Sequence, residues 1–480
     1  MNHNTFQQKL EALSSFPEVK SETVTAVGKI LEGLSTWDLF RINPLQFAEE
    51  YGFQNSEIID LFVHGAKIGL FDLAWNMICP SCGSIVDSHV SLNEVQNDLF
   101  HCALCHIDVP SDLDDHVEVA FTINPSVKRL DIEPFKDTES YWRYVRSANH
   151  QRSPDLEDYV GEVSLASALL APDETQTMSL TAERGKLYRL ISPDNHVAAF
   201  IKVSDQQGAI AQSVDFSVLP HSLTPKEVTL DSGHLTINVR NLGRTYAGVI
   251  LVLTDLPRLQ RILQEHPSTF RPFLTGKMLL NNQSFRELFR IQTLIPDLKL
   301  RLRSLTLLFT DLKGSTALYD QTGDVFAYKI VQQHYKILTE SVRENSGAVI
   351  KTMGDAIMAT FSSPLDGVKA ALEMMDKMRP FNTRLMNENH TLGLKIGLHE
   401  GSALAVNADD RLDYFGQTVN VAARVQALAQ ADEICVTRQV FEADGVRRAF
   451  ADNGYQEESR LVSLKGVGQP ASVYQLRKEQ

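Results

Sequence analysis

Apolar positions keep helical spacing through the first part of the chain. Val24, Val27, Leu31 and Leu34 recur every three or four residues, and Asn43-Pro44 then offers a cap followed by proline at a first helical position. Gly52 stops that second helix. A third, from about Asn55, carries Ile58, Ile59, Phe62 and Ala66 as far as Gly69, after which Leu70–Trp75 reads as extended. Helix, turn, helix and strand predict a winged-helix-like module over residues 1–75. Between 113 and 256 the pattern changes to short apolar runs: His116–Ile123, Lys186–Ile191, His196–Val203, His234–Val239 and Ala247–Leu253. The turn formers Ser192–Asn195 and Asp231–Gly233 separate some of them, so a β-sandwich-like regulatory domain is expected.

Residues 257–303 turn helical again. Ser284 and Glu287 form a candidate capping box ahead of Phe285, Leu288, Phe289, Ile291, Leu294 and Ile295, and Pro296 breaks the run. The apolar positions are too dense for a solvated linker, so the segment packs on a domain or pairs with its copy. The remainder, 304–480, opens with a buried strand ending in an acid, Ser304–Asp311, followed by two helical stretches. A hairpin follows (Ala348–Met353, the turn Gly354-Asp355, Ala356–Phe361), then a helix bearing Val368, Ala371, Leu372, Met375 and Met378, then the strand Leu392–Leu398. The order β-α-β-β-α-β is that of a ferredoxin-like sheet with helices on one face. The expected fold class is multidomain α+β.

At 480 residues the chain is long enough for three or four folding units. Its 43 % hydrophobic and 22 % charged residues exclude a disordered or disulfide-scaffold protein. A net charge of −14 disfavours DNA or an anionic membrane as partner. The winged-helix-like module makes the same point locally, with five basic residues against ten acidic ones, which disfavours nucleic-acid binding there. Apolar stretches such as Tyr246–Leu253 are far too short for a membrane span, and the N-terminus does not read as a signal peptide, so a cytoplasmic location is expected.

Cys79-Pro-Ser-Cys82 and Cys102-Ala-Leu-Cys105 are two C-x-x-C pairs at the spacing of a zinc ribbon, placed at 76–112. Four thiolates satisfy a tetrahedral ion and leave no open position, so one structural zinc per chain is expected; a redox dithiol or unliganded cysteines are the competing readings. Cys435 lies in a strand-like run and reads as buried and inert. In the last segment, sheet geometry can bring Asp311 and Asp355 to one rim, where two acids repel unless cations lie between them; a divalent metal pair answers that. Directly after Asp311, Gly314, Ser315 and Thr316 open a helix whose free N–H groups can hold phosphate.

Phe309–Thr316, Ile350–Ala356, Gly397–Gly401 and Asp413–Arg424 together resemble the motifs of class III nucleotidyl cyclases, in the family's order across the C-terminal third. The region before them is loosely similar to zinc-ribbon-containing segments found ahead of some bacterial cyclase domains. The resemblance implies that Asp311 and Asp355, with the Leu312 carbonyl, bind two Mg²⁺ or Mn²⁺ ions per active site. It implies that Lys351 and Asp413 select the base, that Asn420 orients the ribose and Arg424 stabilises the transition state, and that Lys465 holds the triphosphate. It further implies a head-to-tail homodimer, in which Asp311 and Asp355 come from one chain and Lys351, Asp413, Asn420, Arg424 and Lys465 from the other. The chain departs from the family where a second triphosphate-binding arginine is often found: the nearest candidate, Arg411, sits beside Asp409-Asp410 and reads as a solvated hairpin residue.

The chemistry agrees with these assignments. Adenine offers an acceptor at N1 and a donor at N6, matching an ammonium and a carboxylate, whereas guanine presents the reverse. Lys351 with Asp413 therefore favours ATP. The expected function is an adenylate cyclase making cyclic AMP and pyrophosphate, regulated through its N-terminal region by a ligand or protein that the sequence does not identify. Two alternatives remain open at this level: a guanylate cyclase, and a zinc-ribbon scaffolding or nucleic-acid-binding regulator whose cyclase-like segment only dimerises.

Overall fold

The computed structural model describes residues 1–95, 99–110, 112–289, 300–386, 392–408, 411–465, 467 and 470–478. Four helices come first: α1 (His3–Ser14), α2 (Ser21–Gly33), α3 (Pro44–Tyr51) and α4 (Asn55–Lys67). Asn43 caps α3 by accepting from the Leu45 amide, Pro44 fills its first turn, and Gly52 ends it at φ 73°. Helix α1 is additional to the sequence reading; its buried residues are only Phe6 and Leu13, too sparse a stripe to stand out in a polar segment.

Strand β1 (Phe71–Ile78) follows, then β2 (Ile85–His89), β3 (Leu99–Cys102), β4 (Ile107–Pro110) and β5 (Val117–Ile123). β3 and β4 form a small hairpin, while β2, β1 and β5 make a three-stranded sheet in that order. The His116–Ile123 run, expected among the sandwich strands, pairs with β1 instead. An apolar run reveals a strand but not its sheet. This one is buried on both sides, with Phe121 against Phe62 and the Val119 amide bonded to the Leu274 carbonyl.

Helices α5 (Thr138–Val145) and α6 (Pro154–Val163), with a two-residue bridge strand β6 (His150–Gln151) between them, precede the larger sheet. Its strands are β7 (Ser164–Leu170), β8 (Thr175–Ala182), β9 (Leu187–Ser192), β10 (Val197–Leu219), β11 (Ser222–Thr224), β12 (Glu227–Asn241) and β13 (Ala247–Leu253). Laid straight, β10 would be roughly 70 Å long. Yet Phe200 pairs with Glu227 while Val218 pairs with Leu223, so the two ends of β10 lie close together and the strand folds over at its register shifts after Val203 and Gln207. Ile201 and Val203 from the first half and Phe216 and Val218 from the second enter one core.

The helical segment is broken into α7 (Leu256–Glu265), a short strand β14 (Thr269–Phe270), α8 (Gly276–Leu280) and α9 (Gln283–Leu288). The N-cap of α9 is Asn282, which accepts from the Phe285 amide; Ser284, the capping residue expected, is buried inside the helix. Ile291, Leu294, Ile295 and Pro296 lie outside the described residues.

The C-terminal domain comprises β15 (Leu300–Lys313), α10 (Ser315–Thr322), α11 (Asp324–Glu344), β16 (Gly347–Met353), β17 (Ala356–Phe361), α12 (Pro364–Met386), β18 (Gly393–Ala408), β19 (Arg411–Phe415), α13 (Gln417–Leu428), β20 (Glu433–Thr437), α14 (Arg438–Phe441), α15 (Val446–Asp452), β21 (Tyr455–Val462) and β22 (Ala471–Lys478). Its sheet runs β16-β17-β15-β18-β20-β22-β21, with β19 on β18. One face packs under α11, α12, α14 and α15 through Leu308, Ile357, Ala359, Ile396 and Leu398. The other face is covered too. Leu305, Leu307, Phe309, Met358, Ala403 and Ala405 share a core with α2, α4, β1 and α9, and α13 lies beside them. An ion pair reinforces the junction, Arg303 meeting Asp112 at 2.7 Å; beside it Asp114 pairs with Lys277 at 2.7 Å and accepts from the Arg303 amide at 2.6 Å, both acids being nearly inaccessible.

His334 of α11 is fully buried with Nδ1 3.5 Å from the Met378 sulfur, and desolvation lowers its pKa from 6.5 to about 4. The unfolded chain then binds a proton that the folded chain refuses, so this contribution is complete above pH 6.5 and is lost as the pH falls toward 4. The loss is about 3 kcal/mol, at ~1.4 kcal/mol per pKa unit. Urea unfolding across that window is expected to show the decline, and His334→Phe to flatten part of it.

Candidate functional site

The chain brings the two candidate metal acids together through hairpin register. β15 pairs antiparallel with β17 on one side and β18 on the other, so Asp311 emerges at the rim opposite Lys395. The Ile357 amide donates to Thr310 Oγ1 at 3.0 Å, which holds the Gly354-Asp355 turn against the end of β15. Gly354 takes φ 67°, a conformation that suits glycine, and the Tyr335 hydroxyl donates to its carbonyl. Lys395 Nζ lies 2.9 Å from Asp311 Oδ2, so this carboxylate already has one cation beside it. Asp311 and Asp355 are both half-buried, and the β15/β17 register carried on past Phe309–Met358 sets Asp311 across from Ala356, next to Asp355; carboxylate oxygens at such a rim are the donors that suit a hard divalent ion. The Leu312 carbonyl accepts from the Ser315 hydroxyl at 3.1 Å, Gly314 caps α10 at φ 97°, and Ser315 and Thr316 begin that helix.

A second group sits on the edge strands. Lys351 Nζ and Asp413 Oδ2 are 2.5 Å apart, with the two side chains 41 % and 20 % exposed. Asp413 Oδ1 also accepts from the Tyr414 amide at 2.8 Å, which fixes the carboxylate's rotation. Asn420 and Arg424 lie one turn apart on α13, exposed and half-buried, and make no hydrogen bond or ion pair among the described residues. Two glycines let α13 come so close: a Cβ at Gly397 would meet the Gln426 main chain at 2.2 Å, and one at Gly401 would meet Thr418 Oγ1 at 2.7 Å. Lys465 is exposed in the turn after β21, and Arg411 is exposed at the start of β19, while Asp409 and Asp410 are outside the described residues. A cavity of about 520 Å³ at the start of α13, lined by His399, Gly416, Thr418 and Val467, contains none of the candidate residues.

The four cysteines converge. Their sulfurs all lie within 4.8 Å of one another, and the residues are largely buried. Hydrogen bonds from Cys102, Cys105 and Cys79 pull the Cys82 thiol well below its ordinary range, whereas Cys105 is pushed up by its bonds to Cys102, Cys79 and Cys82. Arg189, 4 % exposed, reaches only neutral acceptors among the described residues: the Ala103 and Leu104 carbonyls at 3.3 and 3.2 Å and Thr254 Oγ1 at 3.1 Å. A zinc tetrathiolate is doubly negative, so a buried guanidinium on its knuckle is the counter-charge that such an ion would demand. The donor set and its surroundings fit zinc.

Residues 4–287, more than half of the chain, match a family of unknown function, DUF5939, and residues 299–477 match the adenylate and guanylate cyclase catalytic domain. The chain belongs to the DUF5939 family and carries a class III cyclase catalytic domain. It is 26 % identical over 191 residues to an adenylate cyclase of Anabaena cylindrica, covering 36 % of this chain and 37 % of that protein. It is 24 % identical over 446 residues to guanylate cyclase 2G of Rattus norvegicus, covering 86 % of this chain and 37 % of that one. The chain thus spans well under half the length of either relative. The solved adenylyl cyclase CyaB of P. aeruginosa is 21 % identical, with a TM-score of 0.33 over 38 % of this chain and 97 % of that one.

Three neighbours of the cyclase domain's rim escaped the sequence reading. Lys395 had a signal in retrospect, because the antiparallel β15/β18 register puts it opposite Asp311. Tyr335, on the far side of a helix, had none. Neither had Arg286, which lies outside the cyclase domain and donates to the Leu412 carbonyl at 2.5 Å. The close approach of α13 to β18 has a direct test: Gly397→Ala places a methyl group against main chain that cannot swing aside. A loss of about 1–3 kcal/mol in urea unfolding is expected.

Proposed function

We propose that this chain is an adenylate cyclase, converting ATP to 3′,5′-cyclic AMP and pyrophosphate in sites shared between two copies of the chain. The observation that carries the reading is the Lys351–Asp413 pair, an ammonium and a carboxylate 2.5 Å apart on two separate edge strands. That donor and acceptor order complements adenine N1 and N6 and mismatches guanine. A shared site is supported by Asn420 being exposed and Arg424 only half-buried, with neither side chain paired among the described residues.

In this reading Asp311, Asp355 and the Leu312 carbonyl hold two Mg²⁺ or Mn²⁺ ions, which when bound would acidify the ribose 3′-hydroxyl and draw charge from the triphosphate. The amides opening α10 at Gly314, Ser315 and Thr316, with Lys465 of the other copy, take the phosphate oxygens. Asn420 orients the ribose. The 3′-oxygen forms a bond to the α-phosphorus as the bond to the pyrophosphate oxygen breaks, and Arg424 offers its guanidinium fork to the charge gathering on the α-phosphoryl oxygens. Lys395, 2.9 Å from Asp311 Oδ2, would have to release that carboxylate for it to hold a metal ion. The N-terminal region, including one structural zinc on Cys79, Cys82, Cys102 and Cys105, controls how the two cyclase domains pair. No helix among the described residues is long and apolar enough to cross a membrane.

The decisive measurement uses purified full-length chain with Mn²⁺ and either ATP or GTP. Cyclic AMP is expected in excess of cyclic GMP, falling at least a hundredfold with Asp311→Asn or Arg424→Ala, on the scale of one lost charge-stabilising group. Mixing Asp355→Ala with Arg424→Ala chains, each inert, is expected to restore one site per heterodimer; no product from a mixture proven to contain heterodimers overturns the shared site. Elemental analysis is expected to find one zinc per chain, and Cys105→Ser to lower both zinc content and thermal stability.

A further inference from the structure

Helix α9 belongs to the DUF5939 region, yet it touches both strands that carry the base-reading pair. Gln283 Oε1 accepts from the Val349 amide at 2.8 Å, immediately before a bulge in β16. There Val349 pairs with Ala359 and Lys351 with Met358, so Ile350 is the extra residue that re-aims Lys351. One turn along the same helix, Arg286 Nη2 donates to the Leu412 carbonyl at 2.5 Å, and its guanidinium lies 5.9 Å from the centroid of the Tyr414 ring. Arg286 thus contacts the residues on either side of Asp413, and it forms no ion pair among the described residues.

β16 and β19 are both edge strands, and no sheet hydrogen bonds join them to each other. Within the sheet the two strands are linked only by way of β17, β15 and β18, so α9, which touches both, adds a direct bridge between the strands that carry Lys351 and Asp413. The helix is itself firmly seated. Asn282 Nδ2 donates to Asp60 Oδ1 at 2.8 Å, Glu287 meets Arg343 at 2.9 Å, and Phe285 is buried against the Trp75 ring.

We propose that α9 is a strut setting the separation and aim of the Lys351–Asp413 pair, with Gln283 and Arg286 as positioning residues for purine choice. The inference rests on the reading of that pair as the base-contacting groups. It makes discrimination between ATP and GTP a property of the N-terminal region as well as of the cyclase domain.

The test measures kcat and KM for ATP and GTP, with Mn²⁺, in full-length Gln283→Leu, Arg286→Ala, Arg286→Lys and Lys351→Ala chains. Gln283→Leu and Arg286→Ala are expected to raise KM for ATP about five- to tenfold, the scale of one lost hydrogen bond. The ATP-over-GTP ratio of kcat/KM should fall by a similar factor while kcat for ATP changes less than about twofold. Arg286→Lys, which keeps a donor for the Leu412 carbonyl, should recover part of the loss. If Arg286→Ala does not fold, as judged by thermal melting, the uncharged Gln283→Leu chain decides. Equal losses with both nucleotides, or unchanged kinetics, overturn the strut, provided that Lys351→Ala shifts the ratio. If Lys351→Ala leaves the ratio unmoved, or the wild type turns over neither nucleotide, the base-contacting assignment itself falls and the strut with it.

Discussion

The architecture depends on the long antiparallel pair β15/β18 being dry on both faces. Along β15 the side chains alternate: Leu308 and Leu312 point into the core beneath α11 and α12, whereas Leu305, Leu307 and Phe309 join the core shared with α2, α4 and β1. A cyclase sheet that left its second face bare would expose a large apolar patch. Here the N-terminal region covers part of it, so the two parts of the chain share one core rather than being joined by a loose tether.

That sharing explains where the charged contacts fall. Arg303, near the start of β15, is held by Asp112 and Asp114 just beyond the cysteine hairpin, and Leu113 donates its amide to the Arg301 carbonyl. Asp311 lies farther along the same strand. The stretch Asp112–Asp114 and the strand that carries Asp311 are therefore hydrogen-bonded to one another. Arg189 on the cysteine hairpin and Lys395 beside Asp311 each set a cation next to a candidate ligand group.

Local chemistry was legible wherever it depended on near neighbours in sequence. The C-x-x-C pairs, the acid at a strand end, the hairpin turn at Gly354-Asp355, and Asn420 one helical turn from Arg424 all follow from period and spacing. Helices α2 to α4 and the β-α-β-β-α-β order followed from the same periodicities. Misassignments came where partners are remote. The Val117–Ile123 run has the composition of any buried strand, and only its pairing with β1 takes it out of the sandwich. Ser284-x-x-Glu287 has the form of a capping box, but Asn282 wins the cap because its side chain also bonds Asp60, more than two hundred residues earlier in the chain.

By itself, then, the sequence determined which groups are candidates for the site, because metal, thiolate and base chemistry need particular side chains at short, readable spacings. Tertiary structure alone decided what surrounds those groups: Lys395 facing Asp311, Tyr335 under Gly354, Arg189 on the cysteine knuckle, and α9 laid across two edge strands. Those contacts join residues tens to hundreds of positions apart. They arise from burying apolar faces against one another, and that force is nondirectional, so no local pattern records which partner it will choose.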